Sequence, residues 1–202
     1  ASRPVGNKTH LLGADMGIEI AYQLRRLAMA VEHYKGHQYQ PVEVPWLVSE
    51  RANRFTAPPE AKMFDTGMGQ LVGSAEQSFA QMWLDGRLPK GKYVSVTPCF
   101  RDEASKSDQN RTWFWKAELI DVFPDDPARA VLKVINDARD YFSIWGKVEE
   151  VKTNEGFDLM MGGLEIGSYG FREKEGLAWA YGTGCAEPRL TQAIDSVHSG
   201  RK

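Results

Sequence analysis

At 202 residues, with 42% apolar and 26% charged residues, the chain has material for one sizeable domain with its own core. A formal net charge of −2 gives no global attraction to nucleic acid, and two cysteines, Cys99 and Cys185, are too few for a disulfide framework or a zinc site. No apolar run approaches membrane-spanning length and the N-terminus lacks the apolar core of a signal peptide, so the expectation is a cytoplasmic protein with no membrane partner.

The first element in the chain is a helix. Ile18, Ile20, Leu24, Leu27, Ala28 and Val31 recur at close to helical spacing between Met16 and Tyr34, and Gly36 stands where such a helix stops. Tyr39 to Leu47 reads as a strand that Pro45 confines to an edge or a bulge. The prolines and glycines of Thr56 to Gly69 predict a surface loop. Leu71 to Trp83 passes through Gly73-Ser74-Ala75-Glu76 into a helix, with Ser74 as N-cap and Glu76 favourable in the first turn. Tyr93 to Pro98 and Trp113 to Phe123 are rich in β-branched and aromatic residues and predict strands. Pro127 to Trp145 is an amphipathic helix, capped by Asp125 or Asp126 with Pro127 near its first position. Phe157 to Ser168 and Trp179 to Tyr181 predict further strands, and Glu187 to Val197 a last helix. The four histidines show no metal-type spacing and are expected at the surface.

Two of these strands carry the most chemistry. Thr97-Pro98-Cys99-Phe100-Arg101-Asp102-Glu103 leads through a polar loop, Ala104 to Gln109, into Asn110-Arg111-Thr112-Trp113-Phe114-Trp115-Lys116-Ala117-Glu118. Arg101 and Glu103 are two apart and share a face. That face offers a bidentate cation for phosphate or carboxylate beside an acceptor for amino groups, and an aromatic ring on the returning strand can stack on a flat heterocycle. Together these parts suit an ATP-sized site.

The pattern Phe-Arg-x-Glu, loop, Phe-x-Lys-x-Glu resembles motif 2 of class II aminoacyl-tRNA synthetases. Gly182-Thr183-Gly184-Cys185-Ala186-Glu187-Pro188-Arg189-Leu190 resembles their motif 3, and the helix to Tyr34 followed by Val42-Glu43-Val44-Pro45 resembles motif 1. Two departures stand in motif 3: Ala186 replaces a third glycine, and Pro188 stands where an acidic residue precedes the arginine, with Glu187 one place early. Gly73-Ser74-Ala75-Glu76 is similar to the Thr-x-Glu loop of the seryl, threonyl and prolyl group. Gly163 to Arg172 is similar to the strand before motif 3 in the aspartyl, asparaginyl and lysyl group, and to the same stretch of ammonia-dependent asparagine synthetase.

The resemblance implies an α+β fold, an antiparallel sheet of about six strands flanked by helices, in a single catalytic domain over residues 1–202. It implies amino-acid activation with ATP and Mg2+. Arg101 would clamp the α-phosphate and the incoming carboxylate, and Arg189 the far phosphates. Glu103 would serve the adenine edge, Phe114 would stack on the ring, and Gly182 and Gly184 would leave the strand bare for ATP. Glu76 would face the substrate ammonium, with Glu118, Ser168 and Arg172 as further amino-acid contacts. Glu165 and Ser168 would hold the metal; Asp158 is either a second carboxylate of the site or a strand-edge residue. Motif 1 implies a homodimer. The motifs span nearly the whole chain, so the expectation is a minimal core without an anticodon-binding domain. Three functions fit it: adenylation with transfer to tRNA, a carrier protein or another acceptor; an amide ligase of the asparagine-synthetase kind; and a catalytically silent paralogue that senses amino acid or ATP.

Overall fold

The computed structural model describes the backbone of residues 9–102 and 111–200, with side chains from residue 19 onward. Glu103, expected at the adenine edge, lies outside the described residues. In chain order the elements are α1 (Thr9–Gly36), β1 (Gln40–Pro41), β2 (Leu47–Val48), α2 (Glu50–Asn53), β3 (Gln70–Leu71), α3 (Ala75–Leu84), β4 (Gly91–Phe100), β5 (Trp113–Val122), α4 (Pro127–Phe142), β6 (Glu149–Lys152), β7 (Phe157–Met161), β8 (Leu164–Lys174), β9 (Leu177–Glu187) and α5 (Arg189–Ser199). Seven strands form one sheet in the order β1-β4-β5-β9-β8-β7-β6, with β1–β4 its parallel pair and the other pairings antiparallel. The architecture is α+β as expected, with one strand more than the sequence suggested.

Period-two alternation sorts the central strands between two cores. On one face Ala117, Leu119, Ala180 and Cys185 meet Leu27, Ala30 and Tyr34 of α1, Val134, Ile135 and Tyr141 of α4, and Leu190 and Ile194 of α5. On the other face Ile120, Val122, Trp179 and Tyr181 meet Phe79 and Ala80 of α3 and the short β2–β3 region through Val48 and Val72. This second cover reaches only one end of the strands. The opposite end of the same face keeps Phe114, Lys116, Ser168 and Thr183 as the lining of hollows.

Local chemistry explains the elements. Asp126 accepts from the Arg129 amide at 3.0 Å and Pro127 fills the first turn, so α4 starts where expected. Ser74 caps α3, accepting from the Glu76 amide at 3.3 Å. Three expectations need correction. The Tyr39–Leu47 strand pairs only at Gln40–Pro41 and continues through the Val42 amide to Val94 before leaving the sheet, since Pro41 and Pro45 offer no N–H to a ladder. Phe157–Ser168 is two strands, because Gly162 and Gly163 take φ of +57° and +82° and make a two-residue hairpin turn. His33 and His37 are half-buried, with His37 Nδ1 2.8 Å from the buried Asp137 carboxylate and the His33 ring nitrogen 3.0 Å from the Asp137 carbonyl. Among the described residues no helix is long and apolar enough to cross a membrane.

Candidate active site

The uncovered end of the sheet carries two adjoining hollows. The first, about 710 Å³ and open to solvent, is walled by Arg101 at the end of β4, by Arg111, by Phe114 and Lys116 from β5, by Glu165 to Ser168 from β8, by Thr183, Ala186 and Glu187 from β9, and by Arg189 at the start of α5. Arg101 and Arg189, remote in sequence, therefore converge on one cavity. Among the described residues its wall holds four cations (Arg101, Arg111, Lys116, Arg189) against two carboxylates (Glu165, Glu187), a balance that suits a polyanion. Arg101 is fixed by its Nε donating to the Gly73 carbonyl at 3.0 Å, and its guanidinium lies over the Phe114 ring at 5.2 Å. Arg189 donates to Glu165 at 3.2 Å.

The second hollow, about 1140 Å³, is lined by Gly73, Ser74, Glu76 and Gln77 at the start of α3, by Thr56 to Met63 of the predicted loop, and by Arg172 and Tyr181. Glu76 is buried and accepts from Arg172 Nη1 at 2.6 and 2.7 Å and from Trp179 Nε1 at 2.8 Å. Arg172 also lies over the Tyr181 ring at 4.2 Å. Burial, and next the nearby Glu118 charge, push the Glu76 carboxyl above the usual range against the pull of Arg172. The two hollows share three residues: Arg101, Lys116 and Ser168.

Solved structures share the fold of this chain. The chain superposes on the seryl-tRNA synthetase of Pyrococcus horikoshii complexed with ATP with a TM-score of 0.72, at 20% identity over 87% of this chain and 50% of that one. For the pyrrolysyl-tRNA synthetase PylSc of Desulfitobacterium hafniense the TM-score is 0.67, at 19% identity over 90% and 69% of the two chains. The cytoplasmic serine-tRNA ligase of Naegleria fowleri in complex with AMP gives 0.63, at 18% identity over 84% and 48%. This is the class II synthetase catalytic fold. The chain spans about half the length of the two seryl enzymes. No model of a known protein family and no curated protein matches the sequence.

Within the class II frame, the expected residues divide. Arg101, Phe114, Glu165, Ser168 and Arg189 gather on the first hollow, and Glu76 and Arg172 on the second. Glu118 joins neither wall. It is fully buried, with its carboxylate held by Ser74 Oγ, the Ala75 amide and Lys116 Nζ. Gly182 and Gly184 are not on the walls either. A Cβ on Gly182 would strike Tyr169 and Val134, and one on Gly184 would meet the Tyr34 ring at 2.7 Å, so these glycines admit aromatic rings on the helical side of the sheet. From Leu164 onward the Gly163–Arg172 segment is strand β8, in keeping with its likeness to a strand. Asp158 pairs with Ser168 across β7 and β8.

Lys116, Arg111, Thr183 and Glu187 line the first hollow without having been singled out. Lys116 was legible, since it lies two residues from Phe114 and so shares its face. Glu187 is 1% exposed. One of its oxygens accepts from the Thr191 amide and hydroxyl at 3.1 and 2.7 Å, which caps α5 where Pro188 provides no side-chain cap, and the other lies 3.4 Å from Arg26 Nε. Burial raises the Glu187 carboxyl, against the opposing pull of Thr191 and Arg26.

No group of three or more His, Cys, Asp or Glu residues suited to hold a metal occurs among the described residues. Mg2+ does not need one, because it takes one or two protein carboxylates and fills its octahedron with waters and substrate phosphates. Glu165 and the Ser168 hydroxyl on the wall fit that demand.

Proposed function

We propose that this protein activates an amino acid as its aminoacyl-adenylate and passes the acyl group to tRNA or to another acceptor such as a carrier protein. In the activating step a carboxylate oxygen of the amino acid attacks the α-phosphorus of ATP. The bond to the bridging α–β oxygen breaks, and pyrophosphate leaves with that electron pair. The observation that carries this reading is the meeting of two hollows at Arg101, Lys116 and Ser168. One is rich in cations and holds an aromatic ring, as a nucleoside triphosphate requires. The other has a buried acid beside a guanidinium, as a zwitterion requires. Their junction is where carboxylate and α-phosphorus must come together.

The roles follow. Arg101 holds the α-phosphate and the carboxylate, and its contact with Gly73 sets its direction before substrate arrives. Arg189 takes the far phosphates. Phe114 stacks on adenine, replacing its present contact with the Arg101 guanidinium. Glu76 receives the ammonium, and Arg172 balances its charge. Mg2+, when bound at Glu165 and Ser168, neutralises phosphate charge. On this reading α1 also forms a homodimer contact, through exposed Ile20, Tyr22 and Leu24; sedimentation as a monomer would remove that part alone.

The test is pyrophosphate exchange with each of the twenty amino acids in turn. Exchange stimulated by one of them is expected. One observation favours a silent paralogue instead: Glu76 is already occupied by Arg172 and Trp179. ATP binding with no exchange for any amino acid would decide for that reading, and amide formation on adding ammonia would decide for an amide ligase.

A further inference from the structure

We infer that Lys116 is a catalytic residue of this site, its ammonium bridging the incoming carboxylate and the α-phosphate, with Glu118 and Ser74 as the residues that position it. This rests on the adenylation reading above and adds to it a group at the reacting atoms.

Strand β5 places the parts. Phe114, Lys116 and Glu118 alternate on the site face of the sheet, and the line runs from the wall of the first hollow into the protein. Glu118, at the inner end, is 0% exposed. Its two oxygens accept from Ser74 Oγ at 3.0 and 2.9 Å, and one also accepts from the Ala75 amide at 2.8 Å. The other lies 2.7 Å from Lys116 Nζ. Held from several directions, the carboxylate cannot swing, so it fixes where the ammonium sits. Burial by itself would raise the Glu118 carboxyl, but Lys116, Ser74 and the Ala75 amide together outweigh it and hold the group ionised, below the usual range.

A lysine serving only this buried pair would have no reason to border a cavity. Lys116 borders both, with 12% of its side chain exposed. An ammonium has three donors and no acceptor, and Glu118 takes one of them. The remaining donors belong at the junction, where two anionic groups must approach to within bonding distance. A point cation held there offsets their repulsion from a position fixed before the substrates arrive. Arg101 alone would have to serve both anions with one planar fork.

The experiment compares wild type with Lys116→Met, Glu118→Gln and the double variant Lys116→Met/Glu118→Gln, in amino-acid-dependent pyrophosphate exchange, ATP binding and thermal melting. Lys116→Met alone strands a buried carboxylate and so risks unfolding; the double variant removes both charges and keeps the volume. The double variant is expected to melt cooperatively and bind ATP within about fivefold of wild type, with kcat for exchange lowered on the order of 100-fold or more, the size typical of one lost transition-state donor. Glu118→Gln, which keeps the ammonium but loosens its seat, is expected to lose about tenfold in kcat with less change in KM. A purely structural role would lower the melting temperature and leave kcat per folded molecule unchanged. An active wild type whose folded double variant exchanges within a few fold of it would overturn the assignment of Lys116 alone. A wild type silent with all twenty amino acids would overturn the adenylation reading, and this inference with it.

Discussion

Arg101 and Glu118 show how differently two residues of one motif can be used. Arg101 is anchored by a single backbone acceptor and otherwise faces both hollows, so its removal should cost chemistry and little stability. Arg101→Ala is expected to lower pyrophosphate exchange by about a hundredfold to a thousandfold, the range for one lost transition-state donor, with an unchanged circular dichroism spectrum; retained exchange would contradict its role. Glu118 is the reverse case. Its carboxyl is held below the usual range in the folded chain, so the stability it contributes is present above the unfolded-state pKa and is lost as pH falls through the lower, folded one. The difference in melting temperature between wild type and Glu118→Gln should therefore be largest near neutrality and shrink on acidification, as calorimetry across that range would register. The resemblance to motif 2 implied that Glu118 meets the substrate, at an even spacing from Phe114. That spacing correctly gives its face. It says nothing of depth, which is set by the start of α3 closing over that end of β5 with Ser74 and Ala75.

At the scale of elements, β9 and its turn into α5 decide how the site is held. Gly182 and Gly184 were legible as glycines required by close approach, but the approaching group could not be read from one chain position. It is the ring of Tyr169 for one and of Tyr34 for the other, whose hydroxyls also donate to the carbonyls of Thr183 and Gly184 at 2.7 and 2.8 Å. Gly182→Ala should accordingly destabilise the fold by about 1–3 kcal/mol, as overpacking does, measured by denaturant titration, while leaving ATP affinity in the folded fraction unchanged. Loss of nucleotide binding without loss of stability would restore the view that this glycine faces the ligand. The hairpin of β4 and β5 was readable throughout because its strands are β-branched and aromatic on both sides of a polar loop. The turn at Gly162–Gly163 was missed although a Gly-Gly pair between two apolar runs is itself a hairpin signal. β1 was overlong for the opposite reason: apolar residues continue to Leu47, but two prolines withhold ladder donors.

For the molecule as a whole, the fold class and the sharing of one cavity by Arg101 and Arg189 were legible through the resemblance of three motifs to class II synthetases, which implies which strand ends meet. Strand β6 was not legible, since Glu149 to Lys152 is exposed along its length and has no buried face to pattern it. A site assembled from β4, β5, β8, β9 and two helix starts should report on the whole fold when it is filled. Binding confined to the native state stabilises it by about 2.7 kcal/mol at a ligand concentration one hundred times Kd. Saturating ATP should therefore raise the melting temperature by roughly 5–10 °C for a chain of this size, and Arg101→Ala/Arg189→Ala should abolish that shift; an equal shift in the double variant would mean that ATP binds elsewhere.

The ion pair between Arg26 and Glu187 has a consequence of its own. The carboxylate that seats the first turn of α5, and with it Arg189, is steadied by a guanidinium on the long N-terminal helix. On the proposed function, a disturbance of that helix on the back of the sheet would thus reach the grip on the phosphate tail. Lesions at Arg26 would then present as nucleotide defects, although no atom of that residue touches the nucleotide's wall.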